Sequence, residues 1–116
     1  MEAKTKDLWV FIETDETGAA LNVGLELLSP GRELAGKQGG KLCAVVIGAD
    51  TDKAVEAASI HGADLVLQVE GEEFRHYTTD AYVDALYALV EKYAPTTLLI
   101  GATPNGRDMG PRLSCR

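Results

Sequence analysis

Leu98–Leu113 reads LLIGATPNGRDMGPRL, and the fold class turns on this stretch. A short apolar run enters Gly101, small and polar residues follow, and Arg107-Asp108 stand at the far end. A new helix is expected to begin between Asp108 and Pro111. Strand, glycine loop and helix start, in that order, are where an open α/β sheet holds an anion or meets a partner. The residues upstream must then build the sheet that delivers the loop.

Working back from it, the apolar runs Leu8–Ile12 (LWVFI) and Leu42–Ile47 (LCAVVI) lack alternation, the mark of strands covered on both faces. Leu65–Val69 reads as the third strand and Thr97–Ile100 as the fourth. Helical patterns lie between them. From Ala20, the residues Leu21, Leu25, Leu28, Arg32 and Ala35 recur at three- and four-residue steps. Ser29-Pro30-Gly31 predicts a kink there, or a fresh start with Ser29 as N-cap, and Gly39-Gly40 ends the segment. Asp50-Thr51-Asp52 offers caps for a short helix over Lys53–His61, which Gly62 terminates. Glu70 to Tyr77 reads as an acidic, exposed loop. Thr78 or Thr79 caps the most regular helix, in which Tyr82, Val83, Leu86, Leu89, Val90 and Tyr93 form one stripe and Pro95 ends it. The alternation predicts an α/β fold: a doubly wound parallel sheet in three layers, Rossmann-like, with right-handed crossovers. Only four strands are visible, so the sheet is expected to be truncated.

The 116 residues make one domain, with a formal net charge of −7 and a pI near 4.7. That charge argues against nonspecific nucleic-acid binding. No apolar window reaches the length of a membrane span, so no membrane insertion is expected. MEAKTKDLWVFI lacks the apolar core of a signal peptide. Cys43 and Cys115 are far apart and in no metal or redox spacing, and a cytoplasmic location is the default.

Gly101 and Gly106 have the spacing of a phosphate-cradling loop, but Arg107-Asp108 replaces its Lys-Ser/Thr pair. No hydroxyl remains for magnesium, and Asp108 would repel a phosphate. Two readings stay open. Thr103, Asn105, Gly106 and Arg107 hold an AMP-like phosphate or a carboxylate at the helix start; or the glycines only make the turn, and Arg107 and Asp108 pair with each other or a neighbouring chain. The loop after the first strand, Glu13 to Thr17, should lie beside this one at the switch point. Its acids Glu13, Asp15 and Glu16 suit phosphate poorly. Asp50 is placed to touch a ribose. His61 reads as a helix C-terminal contact and His76 as solvated surface. Trp9, Tyr82, Tyr87 and Tyr93 belong to packing. No metal set and no catalytic constellation stand out.

Four stretches together resemble the N-terminal domain of the electron transfer flavoprotein alpha subunit: Leu8–Glu13 (LWVFIE), ALNVGLELLSPGRELAGK, YTTDAYVDAL and GATPNGRDMGPRL. The last is the most specific, because Gly-Arg-Asp, a hydrophobic residue and Pro-Arg-Leu characteristically follow the strand in that family. The resemblance runs from about Leu8 to Arg116. It implies a heterodimer with a beta subunit that carries electrons from flavin dehydrogenases, as in fatty-acid β-oxidation, to a respiratory or ferredoxin/NAD-linked partner. It implies FAD in the full-length parent, held mainly by a C-terminal domain expected to be absent from residues 1–116, and no cofactor in this piece. The matching region of the beta subunit binds AMP or a second flavin. In the alpha subunit the loop faces the subunit interface, which makes this domain scaffold and docking surface without catalytic residues. Some members carry an iron–sulfur domain ahead of this one; with only Met1 to Lys6 before the first strand, none is expected here. The alternatives are a stand-alone adenine-nucleotide-binding module of universal-stress type and a purely structural assembly domain. A second domain with a flavin site beyond Arg116 separates the first reading from these.

Overall fold

A computed structural model describes residues 5–115. Four parallel strands, β1 (Leu8–Ile12), β2 (Leu42–Gly48), β3 (Leu65–Glu70) and β4 (Thr97–Leu99), form one sheet in the order β3-β2-β1-β4. The helices are α1 (Asn22–Gln38), α2 (Asp52–Ile60), α3 (Thr79–Tyr93) and α4 (Pro104–Ser114). From β1 the chain steps outward to β2 and β3, then returns past β1 to lay down β4. The order therefore reverses between β1 and β4.

Alternate strand residues serve opposite layers. Leu8, Val10 and Ile12, with Leu42, Ala44 and Val46, pack against Leu28 and Ala35 of α1 and Ala54 and Ala58 of α2. Trp9, Phe11, Cys43, Val45 and Ile47 pack against Tyr82, Val83 and Leu86 of α3 and Met109 of α4. Helices on both faces explain why β1 and β2 are apolar without a break. The expected three-layer parallel sheet is the one found. β3 and β4 are its edges and only partly covered. Burial pushes the Cys43 thiol up to about 11, so this residue fills space rather than reacting.

Three local expectations are corrected. Of the two readings of Pro30, the fresh start does not occur: α1 runs unbroken through it. Ser29 and Pro30 lie on the exposed side, where water can satisfy the freed carbonyl, and Leu28, Gly31 and Ala35 stay buried on the sheet side and hold the helix in register. The last helix begins at Pro104, not between Asp108 and Pro111. Thr103 is its N-cap, accepting the Gly106 N–H at 2.9 Å, and Pro104 takes a first-turn position where its missing donor costs nothing. The acidic segment after β3 is not all exposed. Glu72–Phe74 forms a single 3-10 turn that buries Phe74, its ring edge-on to Tyr82 with centroids 5.4 Å apart.

Before the start of β3, Arg32, one of the residues recurring at helical steps in α1, is exposed. Its guanidinium donates to both oxygens of Asp64, at 2.9 and 3.0 Å, and to the Gly62 carbonyl. Asp64 also accepts the Leu42 N–H at 2.9 Å. The Arg32 hydrogen bond first, and then the Leu42 amide, hold the Asp64 carboxyl below its ordinary value of 3.8. A carboxyl lowered on folding stabilises above its unfolded value and loses that effect as pH falls through the folded one. Asp64→Asn should cost up to about 1 kcal/mol at neutral pH, given the exposure of the pair. The gap between the two proteins in urea melts should close as pH drops below 3.8. An unchanged gap in acid would show that charge is not the source.

Candidate functional site

The parallel register pairs Val10 with Leu99, so the loops leaving β1 and β4 emerge side by side at the switch point. Glu13 follows β1 directly, and Thr103 lies at the end of the loop after β4. The two meet. The Thr103 hydroxyl donates to Glu13 Oε1 at 2.5 Å, while the same oxygen accepts the Gly106 N–H as helix cap. Asn105 Nδ2 donates to Glu13 Oε2 at 3.1 Å. Both carboxylate oxygens are thus engaged by the start of α4, where the helix dipole favours negative charge.

Few backbone donors remain at that helix start. Pro104 has none, the Gly106 N–H goes to the cap, and the Arg107 N–H makes the first helical bond to the Thr103 carbonyl at 2.8 Å. Of the first-turn amides only that of Asn105 has no bond of this kind. A phosphate-bearing cofactor such as FAD needs several converging N–H groups and side-chain donors. Here the side-chain donors serve Glu13, so the residues present do not fit such a group.

Arg107 and Asp108 face different neighbours. Asp108 Oδ2 accepts the Thr79 hydroxyl of α3 at 3.0 Å. The Tyr77 hydroxyl lies 2.9 Å from that of Thr79 and donates to the Asn105 carbonyl at 3.3 Å. Burial raises the Tyr77 hydroxyl above its ordinary value, with Asp108 and Glu13 adding to the rise, so it remains a protonated donor. Arg112 binds Asp80 at 2.5 Å, a second tie between α4 and α3. Arg107 does not pair with Asp108, and among the described residues it is in no ion pair. It is exposed on the rim of a groove of about 500 Å³ between β4 and α4, floored by Leu98, Ile100 and Leu113.

A second cleft of about 250 Å³ opens between the ends of β1 and β2 and the turn carrying Arg75 and His76. Its polar groups are largely spent on one another. Asp15 Oδ1 accepts the Thr17 N–H and hydroxyl and the Ala19 N–H, which lowers its carboxyl below the usual range, the Thr17 hydroxyl foremost. Asp50, read from sequence as a ribose contact, binds Arg75 at 3.2 Å, and Arg75 also holds Glu72. Gly18 has φ +87°, and a Cβ there would stand 2.7 Å from the Asp50 carbonyl, which is how closely the two loops approach. His76 is exposed. His61, far from here, closes α2 through Nδ1 and the Ala57 carbonyl at 2.8 Å. Among the described residues no three His, Cys, Asp or Glu side chains converge for a metal.

From sequence, Glu13 was only an obstacle to phosphate; that it reaches across the switch point and holds Thr103 and Asn105 was not foreseen. The adjacency of the first and fourth strands was the available signal. Tyr77 and Thr79 had none.

Sheet order and site together define a Rossmann-like α/β domain in which the start of α4 is engaged by a carboxylate of the same chain. The electron transfer flavoprotein domain family matches residues 8–116, and the chain belongs to that family. Electron transfer flavoprotein subunit alpha of Clostridium acetobutylicum is 43% identical over 115 residues, 99% of this chain and 34% of that protein. Protein FixB of Clostridium saccharobutylicum is 43% identical over 114 residues, with coverage of 98% and 34%. Acryloyl-CoA reductase electron transfer subunit beta of Anaerotignum propionicum is 40% identical over 111 residues, with coverage of 96% and 30%. The chain spans about a third of the length of these curated relatives. None of the described helices is long and apolar enough to cross a membrane.

Proposed function

We propose that residues 1–116 are the N-terminal domain of an electron transfer flavoprotein alpha subunit, a scaffold that docks a beta subunit and carries no redox group or catalytic residue itself. The whole protein then binds FAD through a further domain and passes electrons from flavin dehydrogenases to a respiratory or ferredoxin/NAD-linked acceptor. The single observation carrying this reading is the family match along 8–116. The engagement of Thr103 and Asn105 by Glu13 supports the docking role over the alternative of a stand-alone adenine-nucleotide module. The test is the intact protein copurified with its partner: a flavin absorbance band is expected, and a colourless heterodimer would overturn the reading.

Arg107 is the side chain best placed for docking, being exposed, in no ion pair among the described residues, and at the rim of an apolar groove. Arginine beside apolar surface is a common interface anchor. Arg107→Ala should weaken association with the beta subunit about tenfold, near 1.4 kcal/mol, and leave the melting temperature unchanged. Equal affinity of variant and wild type in surface-plasmon titration would remove Arg107 from the interface.

A further inference from the structure

We propose that Glu13 is an internal anion that decides ligand specificity at the switch point: it occupies the place of a phosphate and closes the loop after β4 to adenylate and to inorganic phosphate. Three observations converge on it. Both carboxylate oxygens are engaged, by Thr103 Oγ1 at 2.5 Å and Asn105 Nδ2 at 3.1 Å. These are the side chains a phosphate at this helix start would need. Of the first-turn backbone donors two are consumed, Gly106 N–H by the Thr103 cap and Arg107 N–H by the Thr103 carbonyl, which leaves only that of Asn105. Finally, Glu13 is fixed in place, because it continues directly from the buried strand β1 and the Glu13 carbonyl accepts the Leu21 N–H at 2.8 Å.

The consequence is an exclusion by charge as well as by space. A dianionic phosphate approaching Thr103 meets a carboxylate already on its donors, with Asp108 one turn further along α4. Removing the Glu13 carboxylate frees a hydroxyl and an amide N–H₂ beside the Asn105 backbone N–H at one helix start, and Arg107 stands on the first turn of the same helix. The specificity of the loop is then set by one side chain supplied by a different strand. Here a carboxylate supplied from within the chain satisfies a helix start of a kind that elsewhere takes a ligand phosphate.

This inference rests on the reading of the loop as a docking element, but the two fail separately: missing flavin or partner sinks that reading, and only the response to phosphate bears on Glu13. The experiment uses the intact protein with this chain labelled with ¹⁵N-glycine and ¹⁵N-asparagine, titrated with inorganic phosphate and then with AMP. Wild type should leave the Gly106 and Asn105 amide resonances in place. Glu13→Ala should shift them, with an apparent affinity at least about tenfold above any wild-type response, equivalent to ~1.4 kcal/mol. Glu13→Gln, which keeps the shape and removes the charge, should fall between the two and serves if the alanine variant does not fold. A wild-type Gly106 resonance that moves with phosphate overturns the proposal, and so does a folded variant that responds no more than wild type.

Discussion

Gly106→Ala should destabilise the protein by about 3 kcal/mol, at the upper end of what one added methyl costs in a packed site. An ideal Cβ at Gly106 would stand 2.0 Å from the Gly101 carbonyl oxygen and 3.0 Å from Ile100 Cγ2. The first of these is backbone, so no rotamer change relieves it. Either α4 backs away from the end of β4 or the loop 101–103 is displaced. Both movements break the Thr103 cap and draw Thr103 and Asn105 away from Glu13. Gly110, one turn on in the same helix, is the internal control, because nothing lies within 4 Å of a Cβ there. Gly110→Ala should gain helix propensity, about 0.5–1 kcal/mol. Urea midpoints that move in opposite directions for these two glycines are the expected result. Equal, small shifts would mean that the close approach at Gly106 yields without cost.

The same contrast shows which parts of the fold could be read from sequence. β1 and β2 declare themselves because both faces are covered, so every residue from Leu8 to Ile12 and from Leu42 to Ile47 is buried and the apolar run has no gaps. The buried part of the α3 stripe, Tyr82, Val83 and Leu86, is legible for the related reason that one face meets the sheet. The start of α4 was misplaced because Asn105 and Gly106 have turn chemistry, and their helical role depends on contacts from elsewhere: the Thr103 cap, and the approach to Gly101 that only glycine permits. Phe74 is hidden among Glu72, Glu73 and Arg75, a lone apolar residue whose ring packs edge-on against Tyr82, the fourth residue of α3. Glu13 was legible as an acid at the switch point. Its partners lie ninety or more residues away, and no periodicity encodes such a contact.

Met109→Ala should cost about 2–4 kcal/mol, in the range for large-to-small changes at a buried site, and the loss should be felt first in α4. Apart from Gly106, Met109 is the only residue of this helix that is buried, with none of its surface exposed. The other attachments of α4 are the partly buried Leu113, which packs on the same cluster, and polar contacts: Arg112 to Asp80, Asp108 to Thr79, and the half-buried Glu13 contacts at its first turn. The exposed pairs contribute little each, so the apolar side chains, the fully buried Met109 foremost, supply most of what holds the helix to the sheet. Deleting the Met109 side chain should lower the free energy of local opening for residues 104–114 more than that of the strands. Hydrogen exchange is the measurement: the amides of α4 should lose protection while those of β1 and β2 keep theirs below the global unfolding limit. Met109→Leu, close in volume, should cost under about 1.5 kcal/mol and restore protection. If Arg107 docks a partner, its affinity should fall in Met109→Ala without any change at the interface itself, because the helix presenting it is less often formed. Uniform loss of protection across sheet and helix would instead make α4 part of one cooperative unit with the core, and the docking surface as rigid as β1.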